Sequence, residues 1–170
     1  MFVRSPGFGF VSALLAPLAL GLPLAVNAAQ DDGAAPATAA SAPEIWLNVG
    51  GFSRHFDRSN RYNERNFGFG IEWRTSEQVA FMAGVYDNSL GKHSQYAAVN
   101  WQPWSLGPVK LGAAIGVMNG YPALKRGGTF FAALPMASIE GRRFGINLGL
   151  IPSMKNVDGA FMLQFKLRVN

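Results

Sequence analysis

The sequence predicts an all-β fold, an eight-stranded antiparallel up-and-down transmembrane β-barrel, from three observations. An export signal opens the chain. Period-two alternation recurs through the rest, with an oily face opposite a small or charged one. The gaps between alternating segments are short and long in turn. At 170 residues there is room for one such domain.

Residues 1–28 have the build of a signal peptide. Arg4 stands in a short n-region, an apolar stretch follows through Leu14, Leu15, Leu18, Leu20 and Leu24, and Val26 and Ala28 supply small side chains before a cut after Ala28. Pro17 and Pro23 argue against a retained spanning helix, which needs about 20 apolar residues. Residues 29–43 hold no aliphatic side chain larger than alanine and read as a disordered Ala/Pro-rich tether. The barrel is therefore expected in residues 44–170.

Within that range, Phe67, Phe69, Ile71 and Trp73 alternate with Gly68, Gly70, Glu72 and Arg74. Phe161, Leu163, Phe165, Leu167 and Val169 alternate with Ala160, Met162, Gln164, Lys166 and Arg168. Residues 109–118 and 144–150 repeat the pattern with glycine and alanine opposite aliphatics. A soluble sandwich or a lipocalin-like carrier would put Ser, Thr, Lys and Glu opposite its oily face. Small residues with occasional charge suit the crowded lumen of a narrow barrel whose apolar face meets lipid. The charged set Glu72, Arg74, Lys110, Lys166 and Arg168 would then have to pair inside.

Eight segments result, at about residues 45–56, 66–75, 78–87, 94–103, 109–119, 130–139, 144–152 and 160–169. Tight turns at 75–78, 104–108 and 140–143 alternate with longer polar loops at 57–65, 88–93, 120–129 and 153–159. With the export signal, this is the plan of a barrel in the outer membrane of a Gram-negative bacterium, its short turns and termini in the periplasm. Trp46, Trp73, Trp101 and Trp104 fall near strand ends, where interfacial aromatics sit.

Composition narrows the chemistry. There is no cysteine, so no disulfide, thiolate ligand or thiol nucleophile. The net charge of +5 is spread along the chain without a nucleic-acid motif. With two histidines and no cysteine, a metal site at His55 and His93 is not expected, and no cofactor is implied.

Several stretches resemble the lipid A palmitoyltransferase family known as PagP, small outer-membrane barrels that move a palmitoyl chain from a phospholipid to lipid A. They are RYNER at Arg61 to Arg65 followed by FGFG, YDNS through Ser89 with Trp101 downstream, LPMAS at Leu134 to Ser138, and LIP at Leu150 to Pro152. The resemblance runs in order over residues 45–170. It implies phospholipid and lipopolysaccharide as partners, a monomer in the membrane, and catalysis by a His, an Asp and a Ser near the outer mouth.

Carried onto this chain, those roles fall to His55, Asp87 and Ser89. The family's adjacent Asp-Ser pair coincides with Asn88-Ser89, and Asp87 is displaced by one residue, which on a strand changes face. Alternation from Ile45, Leu47 and Val49 puts His55 on the lipid side unless a bulge at Gly50-Gly51 turns it inward; otherwise it is a polar rim residue. The family's pocket floor falls at Asn100, a poor floor for a hydrocarbon chain. Of the prolines linked to lateral lipid access, Pro152 and Pro135 match, whereas the position after RYNER is Asn66. The tether stands where the family has an amphipathic helix.

Arg54, Arg58, Arg61 and Arg65 crowd the first strand end and loop, and Lys92, Lys125, Arg126 and Lys155 fall in the other long loops. Guanidinium groups bind phosphate well, so Arg58, Arg61 and Arg65, with Asn88, Asn100 and Pro152, are the candidate substrate contacts. The alternative for the arginines is pairing with Glu64 or Asp57. Two functions remain open: acyl transfer from phospholipid to lipid A at the outer leaflet, or a non-catalytic barrel that binds lipid or lipopolysaccharide for envelope integrity.

Overall fold

A computed structural model describes residues 42–154 and 157–170; the signal segment and nearly all of the tether lie outside the described residues. Nine strands form one sheet: β1 Glu44–His55, β2 Arg65–Asn66, β3 Gly68–Arg74, β4 Val79–Asp87, β5 His93–Leu106, β6 Val109–Met118, β7 Phe130–Glu140, β8 Phe144–Ile151 and β9 Ala160–Arg168. Strands β2 and β3 form a single stave interrupted at Phe67, so the barrel has eight staves. Neighbours pair antiparallel in sequence order, and β1 pairs with β9 from Trp46↔Arg168 to His55↔Ala160, which closes the barrel. Closure removes both sheet edges, which supplies rigidity without disulfides.

The wall is inverted relative to a water-soluble protein. Phe69, Trp104, Phe131 and Phe144 are among many large apolar side chains exposed on the outside, Phe144 at 75 %. Inside, Asn48, Glu72, Arg74, Gln102, Asn147 and Lys166 are buried. Buried polar groups are costly unless they bond to one another, and here they do. Glu72 accepts from Arg74 (3.1 Å) and Lys166 (2.8 Å), and Glu140 from Arg74 (2.6 Å), Lys166 (2.6 Å) and Lys110 (2.8 Å). Asn147 donates to Glu72 (3.0 Å) and Gln164 (3.1 Å) and accepts from Ser138 (2.7 Å), which in turn accepts from Gln102 (2.8 Å). The expected lumenal pairing holds for Glu72, Arg74, Lys110 and Lys166. Its hub Glu140 was expected in a turn, and Arg168 pairs instead with Glu44 at the rim (2.8 Å).

This network fills the short-turn half of the lumen. Above it, the Tyr96 phenol sits against Gly70 and Gly84, where an added Cβ would lie 2.6 and 2.8 Å from its oxygen. Its hydroxyl accepts from Asn48 and Gln164, each at 3.4 Å. Those two glycines on the inner face are therefore space for one aromatic side chain.

Two local features differ from a uniform alternation. Between Asn48 and Gly51 the β1–β9 register shifts, with Gly50 at φ +104°, a conformation that side-chain-bearing residues rarely adopt. β5 continues to Leu106, past the expected turn start at Trp104, through a second shift between Trp101 and Trp104. Pro103 lies in that irregularity, where its missing N–H costs no ladder bond. The turn shrinks to Gly107 and Pro108, with Gly107 at φ +57°.

Candidate functional site at the long-loop mouth

The bulge at Gly50 reverses the face parity of the rest of β1. Phe52 and Arg54 point out, and His55 is 6 % exposed on the inner side of the mouth. Its imidazole stacks on Tyr62, with centroids 4.0 Å apart and planes 24° from parallel. The Tyr62 hydroxyl donates to Asp158, which also accepts from Asn60 (3.2 Å). Phe56 N–H donates to Gly159 O at 2.9 Å, so the first and last long loops are joined beside His55. The Nδ1 atom of His55 is buried with no hydrogen-bond partner among the described residues. The imidazole is thus held against an aromatic ring with one nitrogen uncommitted. The Asp158 carboxylate holds the Tyr62 phenol above its usual pKa, because a negative acceptor opposes loss of the phenolic proton.

The other two candidates are not brought to this cluster. Asp87 points outward, and its carboxylate lies 2.7 Å from Nδ1 of the exposed His93. Asn88 is the inward residue and is fully buried. It donates to Ser94 Oγ (2.9 Å) and Gly120 O (2.8 Å), while its Oδ1 accepts from the Leu90 and Lys92 N–H groups (2.9 and 3.0 Å). That is a loop-capping amide whose oxygen and nitrogen are both engaged within the barrel. Ser89 follows in the turn, where its carbonyl accepts from Asn63 N–H (2.8 Å). Asp87 and Ser89 thus do not form a set with His55 here. The displacement by one residue is not undone by any bulge in β4, whose ladder runs without a shift from Ala80 to Tyr86.

The arginines divide. Arg58 and Arg54 both pair with Glu64, Arg54 at 3.2 Å, and Asp57 instead accepts Ser59 N–H (2.8 Å). These bonds hold the Glu64 and Asp57 carboxyls below their ordinary range; for Glu64 the opposing desolvation is outweighed by the summed effect of the His55 N–H and the two arginines. Arg58 is therefore committed within the loop. Arg61 and Arg65 are exposed with no carboxylate within 4.0 Å among the described residues.

Beneath the mouth the inner wall mixes apolar and phenolic side chains: Met118, Leu134, Ala132, Ala98 and Met162 alternate with outward neighbours and are only half-buried, and the Tyr86 and Tyr121 hydroxyls bond to each other at 3.0 Å. Asn100 lies deeper, fully buried, with both amide atoms unpartnered among the described residues. The β7–β8 ladder ends at Met136↔Gly149. Beyond it Phe130 to Pro135 pair only with β6, and Leu150 and Ile151 only with β9. Pro135 and Pro152 flank this unpaired seam, and neither has an N–H to close it.

The residues missed by sequence reasoning are Tyr62 and Asp158. Tyr62 stands inside RYNER, but Asp158 is 96 residues away, and only closure of the barrel makes them neighbours. Among the described residues no group of three or more His, Asp or Glu has the spacing to hold a metal ion. No protein-family model matches this chain, and no curated protein matches it significantly. The fold and mouth define a closed antiparallel barrel with a polar plug and an apolar outer wall, a fold compatible with an outer-membrane protein.

Proposed function

We propose that this chain is an outer-membrane barrel of the PagP kind that takes a lipid acyl chain into its outer lumen and transfers it, at the mouth, from a phospholipid to lipid A. The observation that supports this most is the unpaired β7–β8 seam, beside which the lumenal side chains Met118, Leu134 and Met162 are only half-buried. Hydrocarbon has reason to enter such a lumen sideways, because the outer wall around the seam is itself apolar. Strands of 8 to 14 residues in seven of the eight staves are of the length a tilted membrane strand needs, about 9–11 residues. In this reading His55 moves the proton of the acceptor hydroxyl, and Arg61 and Arg65 face the lipid A phosphates.

A second reading, a non-catalytic lipid-binding barrel, is favoured by one specific arrangement: Asp87 is engaged by His93 on the outside and Asn88 by the loop. Mass spectra of lipid A from cells with and without the protein decide between them. The transferase reading expects an added acyl mass that His55→Ala abolishes and Ser89→Ala tests in turn. No acyl gain, with the barrel folded in the membrane, leaves the binding reading.

A further inference from the structure

A second site lies at the opposite, short-turn end. There a cleft of about 630 Å³ is lined by Arg142, Arg143, Arg168, Val169 and Asn170. Arg142 and Arg143 are exposed in the β7–β8 turn and have no carboxylate within 4.0 Å among the described residues; Arg168 shares its charge with Glu44. Directly above, on the outer wall, runs an apolar groove of about 420 Å³ lined chiefly by Val49, Ile139, Phe144, Ile146, Phe165 and Leu167. The two are neighbours along both strands: Arg143 directly precedes Phe144 at the start of β8, Leu167 directly precedes Arg168 on β9, and Phe144 and Leu167 pair in register. Arg168 N–H donates to Arg143 O at 2.7 Å and holds the cleft floor together.

The groove has a structural origin. Ile139, Ile146 and Phe165 form one outward row across β7, β8 and β9. Val49 stands beside it at the bulge where β1 slips against β9, in the register shift between Asn48 and Gly51. The same irregularity that turns His55 inward therefore shapes the outer wall.

From this juxtaposition we infer that the chain carries a binding site for one anionic glycerophospholipid, its phosphate held by Arg142 and Arg143 in the cleft and an acyl chain lying in the groove. Charge complementarity selects the occupant. Unpaired guanidinium groups at the foot of an apolar channel match a molecule that joins a phosphate to a hydrocarbon chain. The inference rests on the apolar wall being embedded in a bilayer and does not require acyl transfer.

The full-length mature protein, refolded in a neutral detergent, is titrated with phosphatidylglycerol, phosphatidylcholine and inorganic phosphate, and bound species are counted by native mass spectrometry. Phosphatidylglycerol is expected to be retained over phosphatidylcholine. The double variant R142Q/R143Q should weaken its binding about tenfold, equivalent to about 1.4 kcal/mol. Ile146→Trp, which fills the groove without changing charge, should also weaken it. Equal retention by wild type and both variants, with heat-modifiable migration intact, overturns the site. Inorganic phosphate competing fully while Ile146→Trp has no effect overturns the lipid assignment in favour of a simple anion cleft. Wild-type protein that remains soluble without detergent overturns the membrane reading, and this inference with it; insertion without preference for phosphatidylglycerol overturns this inference alone.

Discussion

Glu72 on β3 and Lys166 on β9 meet at 2.8 Å inside the barrel, both side chains fully buried, although 94 residues separate them. Arg74 and Asn147 complete the shell of Glu72 at 3.1 and 3.0 Å. Removing one member of such a buried set leaves the remaining charges uncompensated, which costs far more than the intact set contributes relative to an apolar core.

Glu72→Ala is therefore expected to destabilise the barrel by about 3 kcal/mol or more. Urea unfolding in lipid vesicles, followed by tryptophan fluorescence, measures it. A loss below about 0.5 kcal/mol, the range of a neutral surface change, would refute the central role given to this residue.

Gly50 is the pivot for His55. Its φ of +104° is unfavourable for any residue with a Cβ, at about 1–3 kcal/mol. Gly50→Val should lower stability by that order. Deleting Gly50 should remove the extra residue, so that Val49 alone opposes Phe165 while Phe52 stays outside and position 55 stays on the inner face. A cysteine placed at 55 in that deletion would then still react with a water-soluble maleimide in preference to a lipid-soluble one; preference for the lipid-soluble reagent would refute this register.

The Tyr62 phenol should titrate above the ordinary tyrosine range of about 10, and Asp158→Asn should bring it back. The direction follows from the carboxylate, which favours the protonated phenol. Because the folded pKa is raised, whatever the Tyr62–Asp158 bond contributes to holding the loops is fully present below about pH 10 and is lost as pH rises through the folded value. Ultraviolet absorbance against pH reads the titration, and an unchanged curve in the Asp158→Asn variant contradicts the pairing.

Asp87 and His93 form an exposed pair at 2.7 Å, with His93 almost entirely in solvent. Asp87→Asn is expected to leave both barrel stability and any acyl transfer unchanged, in line with the small worth of exposed ion pairs, at most about 1 kcal/mol. Loss of transfer in this variant alone would return Asp87 to the catalytic set and reject the outward assignment.

Most of the strand plan was legible in the chain. Strict alternation around Phe69 and Phe165, with glycine or charge opposite, has one physical solution in an apolar medium, and the eight segments correspond to the eight staves within a few residues. β5 was underestimated because Pro103 reads as a breaker, whereas an irregularity in the ladder accommodates it. The mouth was less legible. Alternation carries no information about where a bulge falls, so the face of His55 stayed open until the register shift at Gly50 decided it. Arg58 looked available to a ligand because its competition for Glu64 depends on the path of the loop.

The sequence by itself determined that the oily faces turn outward and the charges inward, because a period of two and a one-sided hydrophobic pattern are local properties of each strand. Only the tertiary structure decided which charges meet and which side chains surround His55. Those contacts, Glu72 with Lys166 and Tyr62 with Asp158, join residues more than 90 positions apart, and barrel closure through β1 and β9 is what brings them within bonding distance.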